Sequence, residues 1–162
     1  MSDNVKTEIA AQIRQRGIFA LTLRHPWPWA VVSLGKRIEN RRWRPSLAVG
    51  MWYAIHGGKM PVGDALSDVA DHARELALKF LHKLPSDANP KLQDAILTGI
   101  VAIAKHGGCV KESADPWFDG APYIGWKMDD LIVLKQPIPC RGAQGLWRVP
   151  DDVAEQLLRQ LD

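Results

Sequence analysis

Cysteine is scarce in this chain, with only Cys109 and Cys140 among 162 residues. Two thiols do not make a disulfide framework, and the expected setting is the reducing cytoplasm. Long apolar runs are missing as well. No uncharged apolar stretch approaches the ~20 residues needed to cross a bilayer. Met1–Arg16 mixes Asp3, Lys6, Glu8 and Arg14 among its apolar positions, unlike a secretory leader, so no membrane association is expected. Paired C-x-x-C motifs are absent. His106 and Cys109 are separated by two residues, and His56 and Cys140 could complete four zinc ligands on paper. Without a paired motif, neither a metal nor a cofactor is expected. The composition, 46% apolar and 24% charged, excludes wholesale disorder and collagen-like repeats. A chain of this length buries roughly two-thirds of its unfolded surface without staples.

The formal charge is +3, too small by itself to name a partner, but its distribution is uneven. Between Arg24 and Arg44 stand six basic residues and one acid, Glu39, while the rest of the chain carries 15 basic and 17 acidic residues. The positive charge is local. The same segment holds Trp27, Trp29 and Trp43, three of the seven tryptophans. Basic and aromatic residues interleaved in this way suit a surface that meets phosphates and stacks on bases. A solvated charged strand beside core tryptophans would show the same pattern.

The punctuation of the chain predicts one α+β domain around a small, curved or closed sheet. Residues 3–16 read as an amphipathic helix that stops at Gly17, and Ile18–Leu23 as a short strand. Pro26–Trp29 starts a helix that ends at Gly35, followed by an extended basic strand over Lys36–Arg44. Met51–His56 is a more apolar strand. Val62–Leu84 keeps helical spacing, and Pro85–Pro90 is a loop. Ala95–Ala104 reads as a buried strand, Lys105–Gly120 as irregular, Leu131–Leu134 as a strand and Pro137–Gly145 as turn-rich. Pro150–Leu161 closes the chain as a helix. The division is an N-terminal helix over 1–17, the domain over 18–150 and a C-terminal helix over 151–162, packed on that domain.

Four blocks carry a family resemblance. Leu21–Trp27 (LTLRHPW) resembles the opening motif of ASCH domains, and Gly35–Arg41 (GKRIENR) resembles their G-x-K-x-x-E-x-R core with one residue fewer between Gly and Lys. Ala54–Lys59 (AIHGGK) is similar to the family's strand-end motif, and residues 140–149 (CRGAQGLWRV) to its C-terminal end. Together they span roughly 18–150 in the family's order. The resemblance implies a small PUA-like β-barrel, the ASCH fold, with helices around a cleft, and binding of RNA or modified nucleotides. It also implies kinship with amidohydrolases on acylated cytidine, with RNA-cleaving members and with coactivator-associated modules. Fold follows from such kinship better than activity does.

On an extended strand Arg37, Glu39, Arg41 and Trp43 share one face, and Lys36, Ile38, Asn40, Arg42 and Arg44 the other. Glu39 and Arg41 either line a cleft, reading a base edge and a phosphate, or form an ion pair that stiffens a strand. Lys36 either binds phosphate or, with a lowered pKa, serves as a base or nucleophile. The resemblance to the amidohydrolase branch implies a nucleophilic Thr three residues after the Lys, and here that position is Glu39. Glu39 could serve as a general base, but nearby positive charge makes it a weak one unless burial intervenes. His56 closes a strand before Gly57-Gly58 and Lys59 follows that pair, the two either bordering the cleft or serving structure. Trp52, Trp117, Trp126 and Trp147 read as packing residues. Arg141, Gly142 and Gly145 form a turn whose N–H groups either meet a phosphate or only join two elements.

The first reading is an RNA- or nucleotide-binding ASCH domain with single-stranded RNA, a nucleotide or a modified nucleoside as partner. Its cleft uses Lys36, Glu39 and Arg41, with Arg24, Trp27, Trp43, His56 and Lys59 around them. The alternatives are a small hydrolase, a nucleoside amidohydrolase or ribonuclease, with Lys36 and Glu39 as its catalytic pair, and a protein-interaction module using exposed tryptophans.

Overall fold

The computed structural model describes residues 2–81 and 95–161, which fold as α1 (Asp3–Arg16), β1 (Phe19–Leu23), α2 (Trp27–Ser33), β2 (Ile38–Arg41), β3 (Trp52–Gly57), α3 (Asp64–Leu81), β4 (Gly99–Val110), β5 (Ile124–Ile138), β6 (Leu146–Arg148) and α4 (Asp151–Leu161). The six strands form one sheet in the order β2-β5-β4-β3-β1-β6. Only β1 and β3 pair in parallel. This is a mixed α+β fold built on a curled half-barrel with four helices among the described residues. None of those helices is long and apolar enough to cross a membrane.

Strand β3 shows why the layers form. Every residue from Trp52 to Gly57 is buried. Alternate side chains point to opposite faces, so Trp52 and Ala54 join one hydrophobic cluster while Tyr53 and Ile55 join another. The first cluster is covered by Ile9 and Ile13 of α1 and by Val153, Leu157 and Leu161 of α4. Both terminal helices therefore pack on the same sheet face. The second cluster fills the concave side with Leu21, Leu23, Trp126 and Met128. A third sits under α2 and α3, where Phe80 stacks on Trp117 with ring centroids 3.7 Å apart.

Bulges curl the sheet. The β4–β5 register shifts between Ile100 and Ala102, between Lys105 and His106, and between His106 and Cys109. An extra residue bends a strand and increases its twist. Alternation breaks at the first of these, since Val101 and Ala102 both face the concave cluster. Gly107 lies where a Cβ would fall 2.0 Å from Asp129 Oδ1, and Gly108 holds a φ of +92°. The Gly-Gly pair that reads as a strand breaker is instead the bend in one continuous strand. Consequently β4 runs through Val110, and the expected irregular stretch starts later. β5 covers 15 residues rather than only Leu131–Leu134, because a long bent pair needs two long partners. The expected Ala95–Ala104 strand begins at Gly99, the basic strand is confined to Ile38–Arg41, and β6 is a strand the sequence does not announce. The expected last residues of the long helix, 82–84, and the Pro85–Pro90 loop lie outside the described residues.

Polar contacts pin α1 to the sheet. Gln12 brackets the Trp52 backbone, donating to its carbonyl at 2.8 Å and accepting from its N–H at 2.9 Å. Glu8 accepts from Trp52 Nε1 at 3.0 Å and from Lys105 Nζ at 2.9 Å. These two hydrogen bonds, Lys105 first, hold the Glu8 carboxyl below its usual range. A carboxylate lowered in the folded state contributes stability that is full above its unfolded pKa and is lost as pH falls through the folded value. Urea midpoints of wild type and Glu8→Gln should therefore differ near pH 7 and converge as acidification takes the pH below the lowered Glu8 pKa. A gap that stays constant over that range would show that Glu8 acts without its charge.

Candidate functional site

The chain leaves α2 through Leu34 and turns at Gly35, whose φ is +74°. Arg37 then folds back and donates from Nη1 to the carbonyls of Val31 and Lys36, at 2.8 and 2.9 Å. It caps the end of α2, where helix carbonyls lack partners. Pairing with β5 starts only at Ile38, so the alternation expected over 36–44 does not extend to Lys36. Its ammonium reaches Glu39 Oε2 at 3.2 Å and also donates to the Ile38 carbonyl. Arg41 Nε donates to Glu39 Oε1 at 3.0 Å, and its Nη2 to the Thr22 carbonyl at 3.0 Å. Lys36 and Glu39 are buried, while Arg41 is partly exposed. One carboxylate is thus held between two cations.

This triad forms part of the wall of a cavity of about 730 Å³. Trp27, Trp43 and Tyr123 supply aromatic faces, and Arg24 adds an exposed positive charge. Trp43 meets Trp126 edge-on with centroids 4.7 Å apart, and its carbonyl accepts from Trp126 Nε1 at 2.9 Å. That leaves part of the Trp43 ring open, at 37% exposure. Trp27 is fixed edge-on by His72 and lies 5.4 Å from Lys36 Nζ. Asn40 donates to the Trp117 carbonyl and accepts from the Asp119 N–H, fixing the loop that brings Asp119 into the wall. Arg24, Trp27, Lys36, Glu39, Arg41 and Trp43 therefore meet as expected, and Arg37 does not.

His56 and Lys59 are elsewhere. They line a second cavity of about 940 Å³, which shares Thr22, Ala143 and Gln144 with the first. His56 Nε2 is 3.0 Å from the Cys140 carbonyl, which can only accept, so Nε2 carries the proton. Nδ1 then accepts from the Thr22 hydroxyl at 3.1 Å, and that oxygen accepts from Trp147 Nε1–H at 3.0 Å. Burial pushes the His56 pKa down, partly offset by the Cys140 carbonyl. Both ring nitrogens are committed. His56 is the peg that holds the 140–145 loop, and a Cβ on Gly142 would come within 2.6 Å of its ring.

Thr22 is the residue that sequence reasoning misses, along with Tyr123, Asp119 and Gln144. Thr22 is paired with His56 in the β1–β3 register, and that pairing is invisible without the sheet. Burial raises the Cys109 and Cys140 thiols, which keeps them from acting as ready thiolates. No group of three or more His, Cys, Asp or Glu side chains among the described residues could hold a metal ion.

The triad has an energetic consequence. Removing one partner of a buried pair leaves an unpaired charge and costs about 3–5 kcal/mol, whereas replacing both with apolar residues is often neutral. Glu39→Ala should lower unfolding free energy by about that amount. The Lys36→Met, Glu39→Leu double variant should regain about half of the loss or more, because Arg41 can turn to water. Urea denaturation of the three proteins tests this, and a double variant no more stable than Glu39→Ala would contradict it.

In comparisons with known proteins, this chain matches no family model and no curated sequence.

Proposed function

We propose that this chain binds single-stranded RNA or a nucleotide, as an ASCH-type protein on a PUA-like half-barrel, and takes one base into the 730 Å³ cavity. The observation that carries this reading is a hollow of small-ligand size walled by both flat aromatic faces and fixed positive charge. Its volume falls within the ~300–1,000 Å³ typical of small-ligand sites. Trp43 and Tyr123 offer faces on which a base stacks, while Arg24 and Arg41 stand where a phosphate or carbonyl would pass. Each Glu39 oxygen accepts from one cation and retains a further lone pair, so an exocyclic amino group is the base feature it suits.

Hydrolysis draws less support. Lys36 is 2% exposed and its ammonium is bonded to Glu39 and Ile38, so no lone pair is presented for attack. A tryptophan-mediated protein interface also has little to stand on, since only Trp43 among the seven tryptophans is exposed.

Binding to single-stranded oligonucleotides should weaken with salt, losing ~0.7 in log K per log salt for each phosphate contacted. Three or four contacts give a slope of about −2 to −3. Arg24→Ala and Arg44→Ala, both at exposed positions, should each flatten that slope by ~0.7. Trp43→Ala should cost ~1–3 kcal/mol on every base. Fluorescence anisotropy across a salt series measures all three. Salt-independent affinity, or no binding at low salt, would overturn the proposal.

A further inference from the structure

We infer that the second cavity takes the phosphodiester and neighbouring nucleotide of a strand whose base sits in the first, so the ligand is an oligonucleotide rather than a free nucleoside. This rests on the function proposed above and says what length of ligand that site requires.

The two cavities are neighbours, with Thr22, Ala143 and Gln144 bordering both. A ligand that fills the first and continues must pass the 143–144 segment. The charge on the far side differs in kind. The first cavity contains Glu39 and Asp119 beside its cations, whereas the described residues lining the second include Lys59 and Arg141 and no carboxylate. Lys59 and Arg141 are both exposed and neither forms an ion pair among the described residues. Such a surface suits a group that is only negative, as a phosphodiester is, and not a base edge with mixed donors and acceptors.

The backbone fits the same ligand. Gly57, Gly58, Gly99 and Gly142 line this cavity, so main chain and not side chain forms much of its wall, and a phosphate can approach closely. From Arg141 to Gly145 no backbone N–H donates a hydrogen bond within the described residues. These amides flank the passage between the cavities, where they can donate to phosphate oxygens. The wall is held in place by the Trp147–Thr22–His56–Cys140 chain of hydrogen bonds and by Gly142 against the His56 ring. A strand crossing it meets a formed ridge and need not order a loose loop.

The test compares wild type, Lys59→Ala/Arg141→Ala and a control, Lys135→Ala, an exposed lysine outside both cavities. The probes are four nucleosides, their 5′-monophosphates, and four homopolymeric oligonucleotides of increasing length, titrated by anisotropy or calorimetry. Wild-type affinity should rise sharply from nucleoside to short oligonucleotide. The double variant should lose about tenfold on oligonucleotides and flatten the salt slope by ~1.4, with nucleoside affinity unchanged and Lys135→Ala near wild type. If the double variant holds oligonucleotides as wild type does while Trp43→Ala weakens them, the second cavity is unused and the inference falls, with the proposed function standing. Equal losses on monophosphates and oligonucleotides would place a terminal phosphate there and overturn the strand. Failure of wild type to bind any of these probes would overturn the proposed function itself.

Discussion

Arg41 ties the edge strand β2 to β1 across the open side of the half-barrel, with Nε on Glu39 and Nη2 on the Thr22 carbonyl. In sheet order β5, β4 and β3 lie between those strands, so the contact exists only because the sheet curls. The bulges in β4 are therefore a condition of the site. Once the edges face each other, the mouth of the half-barrel becomes a cavity, and the guanidinium both bridges it and forms part of its lining. Shape and charge come from one interaction.

Thr22 couples that bridge to the rest of the site. Its carbonyl takes Arg41, while its hydroxyl sits between Trp147 and His56. The backbone atom faces the triad and the side chain faces the loop, so one residue of β1 supports both cavities. Buried charge makes this arrangement sensitive. A carboxylate taken out of water needs its partners close and well aligned, or the desolvation penalty dominates. Glu39 meets that need with one cation per oxygen. The polar contacts of the mouth are thus interdependent, and a change at Lys36 reaches Thr22 through Glu39 and Arg41.

Sequence pattern makes some of this legible and physical context hides the rest. α1 and α4 are readable because each shows one apolar stripe with a clear stop or start. β3 is readable because it is mostly apolar up to His56 and a glycine pair follows. Glu39 and Arg41 are readable as a pair because both lie on β2, where two-residue alternation holds. Lys36 departs from the expectation because alternation applies only where a strand is paired, and β2 begins two residues later. The Gly107-Gly108 bend departs for a different reason. A glycine pair permits a turn and also permits a bulge, and only the long partner strand β5 decides between them. His56 and Lys59 are legible as residues flanking a glycine pair at a strand end, but not as members of a separate cavity. The 140–145 loop that divides the hollows is far from them in sequence.

Under the proposed function, that division sets what each cavity can contribute. Phosphate contacts position a ligand and carry little sequence information, while contacts to base edges discriminate. The first cavity has mixed charge, aromatic faces and an oriented carboxylate, the features that distinguish one base from another. The second has positive charge, glycine backbone and no acid among its described lining residues, which on the proposed function would suit any phosphodiester equally. A protein built this way would draw affinity from one side of the 143–144 segment and selectivity from the other. On that proposal the loop between them has to be rigid for the two to act on a single strand in register. Committing both nitrogens of His56 to holding that loop is consistent with the proposed function: a histidine left free for chemistry could not also fix the spacing between the two cavities.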